Sequence, residues 1–178
     1  MSLTPPFAGI TYPRLEQAGI PWPCPALDHP GIPIRFTDTF PRGKGKFVPA
    51  EFAPAKELPD ETYPFVLNTG RVLQHWHTGT MTRRAKALDE MAPEARLEMT
   101  PEDMDALGVA EGEFVRVVSR RGEVMVKAMR SHKPSCGSVF LPFHFKEAAA
   151  NLLTIDALDP YGKIPEFKFC AVLVEKCG

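Results

Sequence analysis

The chain has 178 residues, a formal net charge of -1, 24% charged and 44% hydrophobic residues, a balance suited to one main globular domain with a sizeable core. Near-neutrality argues against a general nucleic-acid binder, which carries a basic excess. No apolar run is long enough to span a bilayer, and the opening MSLTPPFAGITYP lacks a secretory pattern. The four cysteines, Cys24, Cys136, Cys170 and Cys177, include no C-x-x-C pair, so no zinc site or iron–sulfur cluster is expected in this chain and the thiols should be reduced and mostly buried.

Proline divides the sequence. Twelve of the 19 prolines precede Asp60, and because proline fixes φ and removes a donor, residues 1–60 are expected to form an extended, irregular strap. RGKGKF (residues 42–47) lacks Walker spacing and reads as a solvated turn. Residues 61–178 read as the folded domain. YPFVLN (63–68) and ARLEM (95–99) are short strand candidates. TPEDMDALGV then carries Thr100 as N-cap, Pro101 at the first helical position, Asp103 three residues after the cap and Gly108 as the stop, the marks of a short helix.

EFVRVVS and EVMVKAM flank RRG, predicting a β-hairpin in which Gly122 supplies a positive φ. Val124, Val126 and Ala128 alternate with Glu123, Met125 and Lys127, so one face is buried and the other wet. SVFLPF (138–143), a helical KEAAANLL (146–153) and a last strand CAVLVE (170–175) complete the chain. Several short strands with few helices and no βαβ alternation predict a mainly β fold, a small β-barrel with short helical insertions.

The stretch with most chemical content is NTGRVLQHWHTGTMTRR (68–84), with two glycines, four threonines, two histidines, three arginines and no carboxylate. Glycine lets backbone N–H groups approach a ligand, and arginine pairs bidentately with phosphate, so this segment suits an anion. A basic surface turn is the plain alternative. His75 and His77 would share a face on a strand, but two ligands do not make a metal site, and hydrogen-bond donation to an anion is the better role. His144 reads as a satisfied core or rim histidine. Glu147, Asp156, Asp159 and Glu166 read as exposed charges. No serine elbow, Walker loop or Rossmann fingerprint occurs, and no catalytic residue is assigned.

NTGRVLQHWHTGTMTRR, VVSRRGEV, PFHFKEAAANLLT and LDPYGKIPEFKFCAVLVEK, in this order, resemble the C-terminal molybdopterin-dinucleotide-binding domain of the molybdenum/tungsten oxidoreductases of the dimethyl-sulfoxide-reductase superfamily. PFHFKEAAANLLT, KIPEFKFCAV and the proline-rich strap resemble most the formate dehydrogenase α (catalytic) subunits, with nitrate reductases second. A non-catalytic barrel module for assembly or cofactor handling is the alternative from another class.

The resemblance implies a six-stranded double-psi β-barrel that closes one side of a site for bis(molybdopterin guanine dinucleotide) with molybdenum or tungsten, shared with domains absent from this chain. Its implied contacts are Thr69, Gly70, Arg71, Val72, Leu73, Gln74, His75, Trp76, His77 and Thr78, then Phe143, Asn151 and Lys168. Glycine N–H groups, the Thr69 and Thr78 hydroxyls, His75, His77 and Arg71 would cradle pyrophosphate and pterin. Asn151 would meet the polar pterin edge, Phe143 would pack on it and Lys168 would supply charge. The implied partners are upstream domains of the same catalytic subunit and other oxidoreductase subunits. The isolated chain is expected to be inactive. A cytoplasmic location is expected, and a periplasmic one stays open because a parent signal peptide would lie outside this sequence.

Overall fold

The structure, a computed structural model, describes residues 3–40 and 42–177. It divides into two compact units, Met1–Glu51 and Phe52–Gly178. In the first, a 3-10 turn (Pro5–Phe7) and one helical turn, α1 (Tyr12–Leu15), are the regular elements among the described residues. They wrap a buried Cys24. Arg14 fastens the wrap by donating to the carbonyls of Gly9 at 2.6 Å and His29 at 2.8 Å. Residues 42–47 are exposed, as a solvated turn requires.

The second unit is built on six strands: β1 (Phe65–Gly70), β2 (Arg96–Met99), β3 (Phe114–Val118), β4 (Glu123–Arg130), β5 (Ser138–Pro142) and β6 (Phe169–Lys176). They close into a barrel in the order β1-β5-β2-β4-β3-β6. β1 runs parallel to β5 and β2 parallel to β4; β3 pairs antiparallel with β4 and β6, and β6 antiparallel with β1. This is the mainly β, double-psi barrel architecture that the sequence implied.

Alternation dictates what fills the barrel. Leu67, Leu97, Met99, Val115, Val117, Val126, Ala128, Val139, Leu141, Val172 and Val174 are buried at period-two positions, and each Val, Leu or Met removed from water stabilises the fold by about 1.5–3 kcal/mol. α2 (Pro101–Leu107) packs Met104 into the core. Its cap is the expected one: the Thr100 hydroxyl accepts from the Asp103 N–H at 3.1 Å, and Gly108 ends the helix at φ 64. Asp103 is itself buried, because its carboxylate accepts the Thr100 hydroxyl and the Gly137 N–H.

Two local expectations are corrected. Gly122 does not take a positive φ. The β3–β4 connection spans four residues, with the Ser119 hydroxyl accepting the Arg121 N–H, so it does not impose the left-handed backbone of a two-residue turn. What glycine provides at 122 is a close approach, since a Cβ there would lie 3.1 Å from the Leu152 carbonyl oxygen, a tight contact. The second correction is KEAAANLL, which forms two 3-10 turns, Lys146–Ala148 and Ala150–Leu152. Ala149 between them is extended at ψ 95. Burial of Ala148, Ala150 and Leu153 against the core lays this segment along the barrel and overrides its helical propensity.

Of the cysteines, Cys24 and Cys170 are buried, Cys177 is half-buried and Cys136 exposed; all four are free.

Candidate functional site

Three segments meet at the mouth of the barrel: the chain leaving β1, the chain leaving β5 and the approach to β6. Between them lies a cleft of about 1040 Å³. Gly70, Arg71, His77, Thr78, Phe143, Asn151 and Lys168 all line it, although they come from sequence positions nearly a hundred residues apart. β1 and β5 bring the first two segments together, since Gly70 pairs with Pro142 and its carbonyl accepts the Phe143 N–H at 3.1 Å. The third segment is held by the Thr69 N–H, which donates to the Lys168 carbonyl at 3.3 Å.

Other residues of the anion-rich stretch take different places. Residues 71–78 form turns, not strand, so His75 and His77 diverge. His75 turns inward and is buried; its Nδ1 meets the Thr82 hydroxyl at 3.2 Å and its Nε2 the Ala92 carbonyl at 2.8 Å. Both ring nitrogens are thereby engaged within the fold. The Thr69 hydroxyl is likewise engaged, donating to the Phe167 carbonyl at 2.7 Å. Val72, Leu73 and Gln74 face a neighbouring hollow of about 660 Å³ that shares Arg71 with the cleft. Trp76 is exposed and carries the Arg71 guanidinium over its ring at 5.3 Å.

The cleft's walls are aromatic and its charge is positive. Phe143 meets His77 and Phe167 edge to face, with centroids 5.9 and 6.5 Å apart. Arg71, Lys146 and Lys168 line it against one carboxylate, Asp156. Pairing makes the cations notable. Arg83, Arg96, Arg116, Arg120, Arg121 and Arg130 each hold a carboxylate, whereas among the described residues Arg71, Lys146 and Lys168 have no acidic partner within reach, as is also true of Arg14, Arg35 and Arg84 elsewhere. Cations gathered at a concave, aromatic-walled site and left unneutralised are suited to a planar, anionic ligand.

His144 was expected to be satisfied and is not. It lines the cleft and is 7% exposed, yet neither ring nitrogen has a partner among the described residues. Burial, with His75 and Arg83 nearby, pushes its pKa down to about 4, against a smaller opposing pull from Glu147. Nothing in the sequence signals this, because whether a histidine is satisfied depends on the loops that cover it. Of the four carboxylates read as exposed charges, three have local roles and Asp156 lines the cleft: Glu147 pairs with Arg83 at 2.9 Å, Asp159 accepts the N–H groups of Tyr161, Gly162 and Ile164, and Glu166 accepts the Lys56 N–H.

A closed barrel of this topology with a cation-lined, aromatic-walled cleft at its mouth defines the class: a double-psi barrel. Its fold matches part of acetylene hydratase from Pelobacter acetylenicus at a TM-score of 0.57 and 18% identity, over 65% of this chain and 18% of that one. The family profile described as "Molydopterin dinucleotide binding domain" matches residues 65–171. The chain belongs to that family. It is also similar to the F420-dependent formate dehydrogenase subunit alpha of Methanocaldococcus jannaschii, 48% identical over 98% of this chain, and to F420-dependent formate dehydrogenase 1 subunit alpha of Methanococcus maripaludis, 45% identical over 98%. The chain spans 26% of the length of each of these relatives. Among the described residues no helix is long and apolar enough to cross a membrane.

Proposed function

We propose that this chain is the part of a formate dehydrogenase alpha subunit that holds bis(molybdopterin guanine dinucleotide), and that the parent enzyme oxidises formate to carbon dioxide, releasing two electrons and a proton. The observation that carries the cofactor role is the unneutralised Arg71 and Lys168 converging on one aromatic-walled cleft. Identity of 45–48% with subunits named as formate dehydrogenases supports the substrate.

Each lining group has a role that follows from its chemistry. Arg71 grips phosphate oxygens bidentately from the end of a barrel strand, and Lys168 adds a point charge. Asn151 offers a donor and an acceptor to a polar heterocycle edge, while Phe143 packs on its face. Gly70, without a side chain, keeps its stretch of backbone open to close approach. The bound group supplies the metal centre for the redox step, and these residues hold and orient it. The remaining walls and the path for electrons belong to further domains of the same polypeptide and to companion subunits.

The test is chemical analysis of the natural polypeptide that carries this chain. After denaturation it should release guanine nucleotide together with molybdenum or tungsten, and it should reduce a dye with formate. The 178-residue chain by itself should not. A natural polypeptide purified in active form without guanine nucleotide would overturn the cofactor assignment, and activity with another substrate but not formate would overturn the substrate.

A further inference from the structure

His144 stands out because its environment is unfavourable without a ligand. Burying an imidazole with neither nitrogen paired is destabilising, and His144 is such a group at the wall of the cleft. Its neighbours are packed on it closely. The Phe145 ring lies at 3.9 Å and the His75 ring at 4.8 Å, centroid to centroid. The turn of residues 76–79 lies against its edge, since a Cβ added to Gly79 would come within 3.2 Å of the His144 Cδ2.

That covering turn also lines the cleft, through His77 and Thr78. It holds two residues in the left-handed region, His77 at φ 50 and Gly79 at φ 70. A non-glycine residue at such a φ is uncommon and raises the energy of the turn. A ligand seated against His77 and Thr78 therefore bears on the same turn that seals the imidazole.

We propose that His144 is a cofactor-contacting residue of this cleft: when the ligand displaces the turn of residues 76–79, one ring nitrogen of His144 pairs with an uncharged polar group of the ligand, a carbonyl, a ring nitrogen or a bridging oxygen. The inference rests on the reading of the cleft as a dinucleotide-cofactor site. It assigns His144 a different task from Arg71 and Lys168. In the closed cleft burial keeps the imidazole neutral at pH 7, and a neutral imidazole offers one N–H and one lone pair to a hydrogen-bonding partner.

Two variants and two readouts separate this from mere packing. In the 178-residue chain, His144→Phe fills the same apolar space and removes both orphan nitrogens, so its melting temperature should equal or exceed the wild type's. Its stability should also be less sensitive to acid. The folded-state pKa of His144 is depressed, so between pH 6.5 and about 4 the unfolded chain binds a proton that the folded chain does not, and wild-type stability falls as the pH is lowered through that window. His75, Arg83 and Glu147, which surround the ring, are unchanged in the variant.

In the natural polypeptide, guanine nucleotide retained after gel filtration should fall roughly tenfold in His144→Phe, as expected for one lost buried hydrogen bond, and recover largely in His144→Gln, which keeps a donor and an acceptor. Full retention by a stable His144→Phe protein would overturn the inference and leave the cofactor reading intact. Equal loss of nucleotide in both variants together with a lowered melting temperature would make His144 a packing residue and overturn it as well. A wild-type polypeptide with no guanine nucleotide would remove the cofactor reading itself and this inference with it.

Discussion

Replacing Glu57 by alanine should lower the stability of the barrel unit by about 1–3 kcal/mol, the range for losing charge-assisted hydrogen bonds and leaving a buried N–H unpaired. The Glu57 side chain is 9% exposed, that of Arg121 26%, and the carboxylate receives two bonds from the Arg121 guanidinium, at 2.6 and 2.7 Å. The same carboxylate accepts the N–H of Ala171, a buried residue of β6, at 2.9 Å. Arg121 in turn donates through Nε to the Leu153 carbonyl at 2.9 Å. One carboxylate thus joins the segment before β1 to the β3–β4 hairpin, to β6 and, through Arg121, to the chain that walls the cleft. Arg120, which also reaches Glu57 and pairs with Asp60, stacks on Tyr63 at 4.5 Å and reinforces the same junction.

For a chain of this size a loss of that order lowers the melting temperature by roughly 5 °C, measurable by calorimetry of Glu57→Ala against wild type. The clamp also has a pH signature. The hydrogen bond from Arg121, helped by the Ala171 N–H, holds the Glu57 carboxyl below its ordinary range against the opposing effect of burial. A depressed folded-state pKa means that the stabilisation is complete above the unfolded value of about 4.3 and is lost as pH falls through the lower folded value. Glu57→Ala should therefore differ from wild type at neutral pH and converge on it in strong acid. A melting temperature unchanged at pH 7 would show that the clamp contributes little.

The second large effect concerns binding. Arg71→Ala in the natural polypeptide should reduce cofactor retention about ten- to a hundredfold, the equivalent of one charge-assisted bidentate contact, and by more than Lys168→Ala. Arg71 follows β1 directly, where Gly70 is paired with Pro142 of the barrel, and its guanidinium is backed by the Trp76 ring. Lys168 is a flexible stem whose ammonium lies 5.9 Å from the Phe167 ring. Because Arg71 has no carboxylate partner among the described residues, its loss should leave the melting temperature of the 178-residue chain unchanged. A drop in melting temperature with full cofactor content would make Arg71 a structural residue of the barrel rim.

What the sequence disclosed and what it concealed follow from the range of the interactions involved. The strands, the Thr100 cap and the Gly108 stop were legible because alternation and capping act over a few residues. The ring order, with β1 beside β5, came only through the resemblance, since strands so far apart leave no local mark of their pairing. The same resemblance pointed to Gly70, Arg71, His77, Thr78, Phe143, Asn151 and Lys168, which the fold gathers into one cleft. Residue type alone did not separate His77, in the cleft, from His75, whose nitrogens are engaged in the core. Gly122, Ala149, Glu57 and His144 were misread or overlooked for one reason. Each owes its state to a partner distant in sequence: the Leu152 carbonyl, the barrel wall, Arg121 and the turn of residues 76–79.

The claim that the barrel mouth is the cofactor site is tested most directly by its accessibility. Thr154 lines the cleft without being assigned a contact, and Glu61 is exposed outside it. A cysteine at each position, Thr154→Cys and Glu61→Cys, in the natural polypeptide reports its surroundings through its rate of alkylation by iodoacetamide, read peptide by peptide by mass spectrometry so that the native cysteines do not interfere. Loading the same polypeptide with its cofactor should slow alkylation at position 154 and leave position 61 unchanged. Equal rates at position 154 in the loaded and stripped protein would contradict the assignment of the cleft.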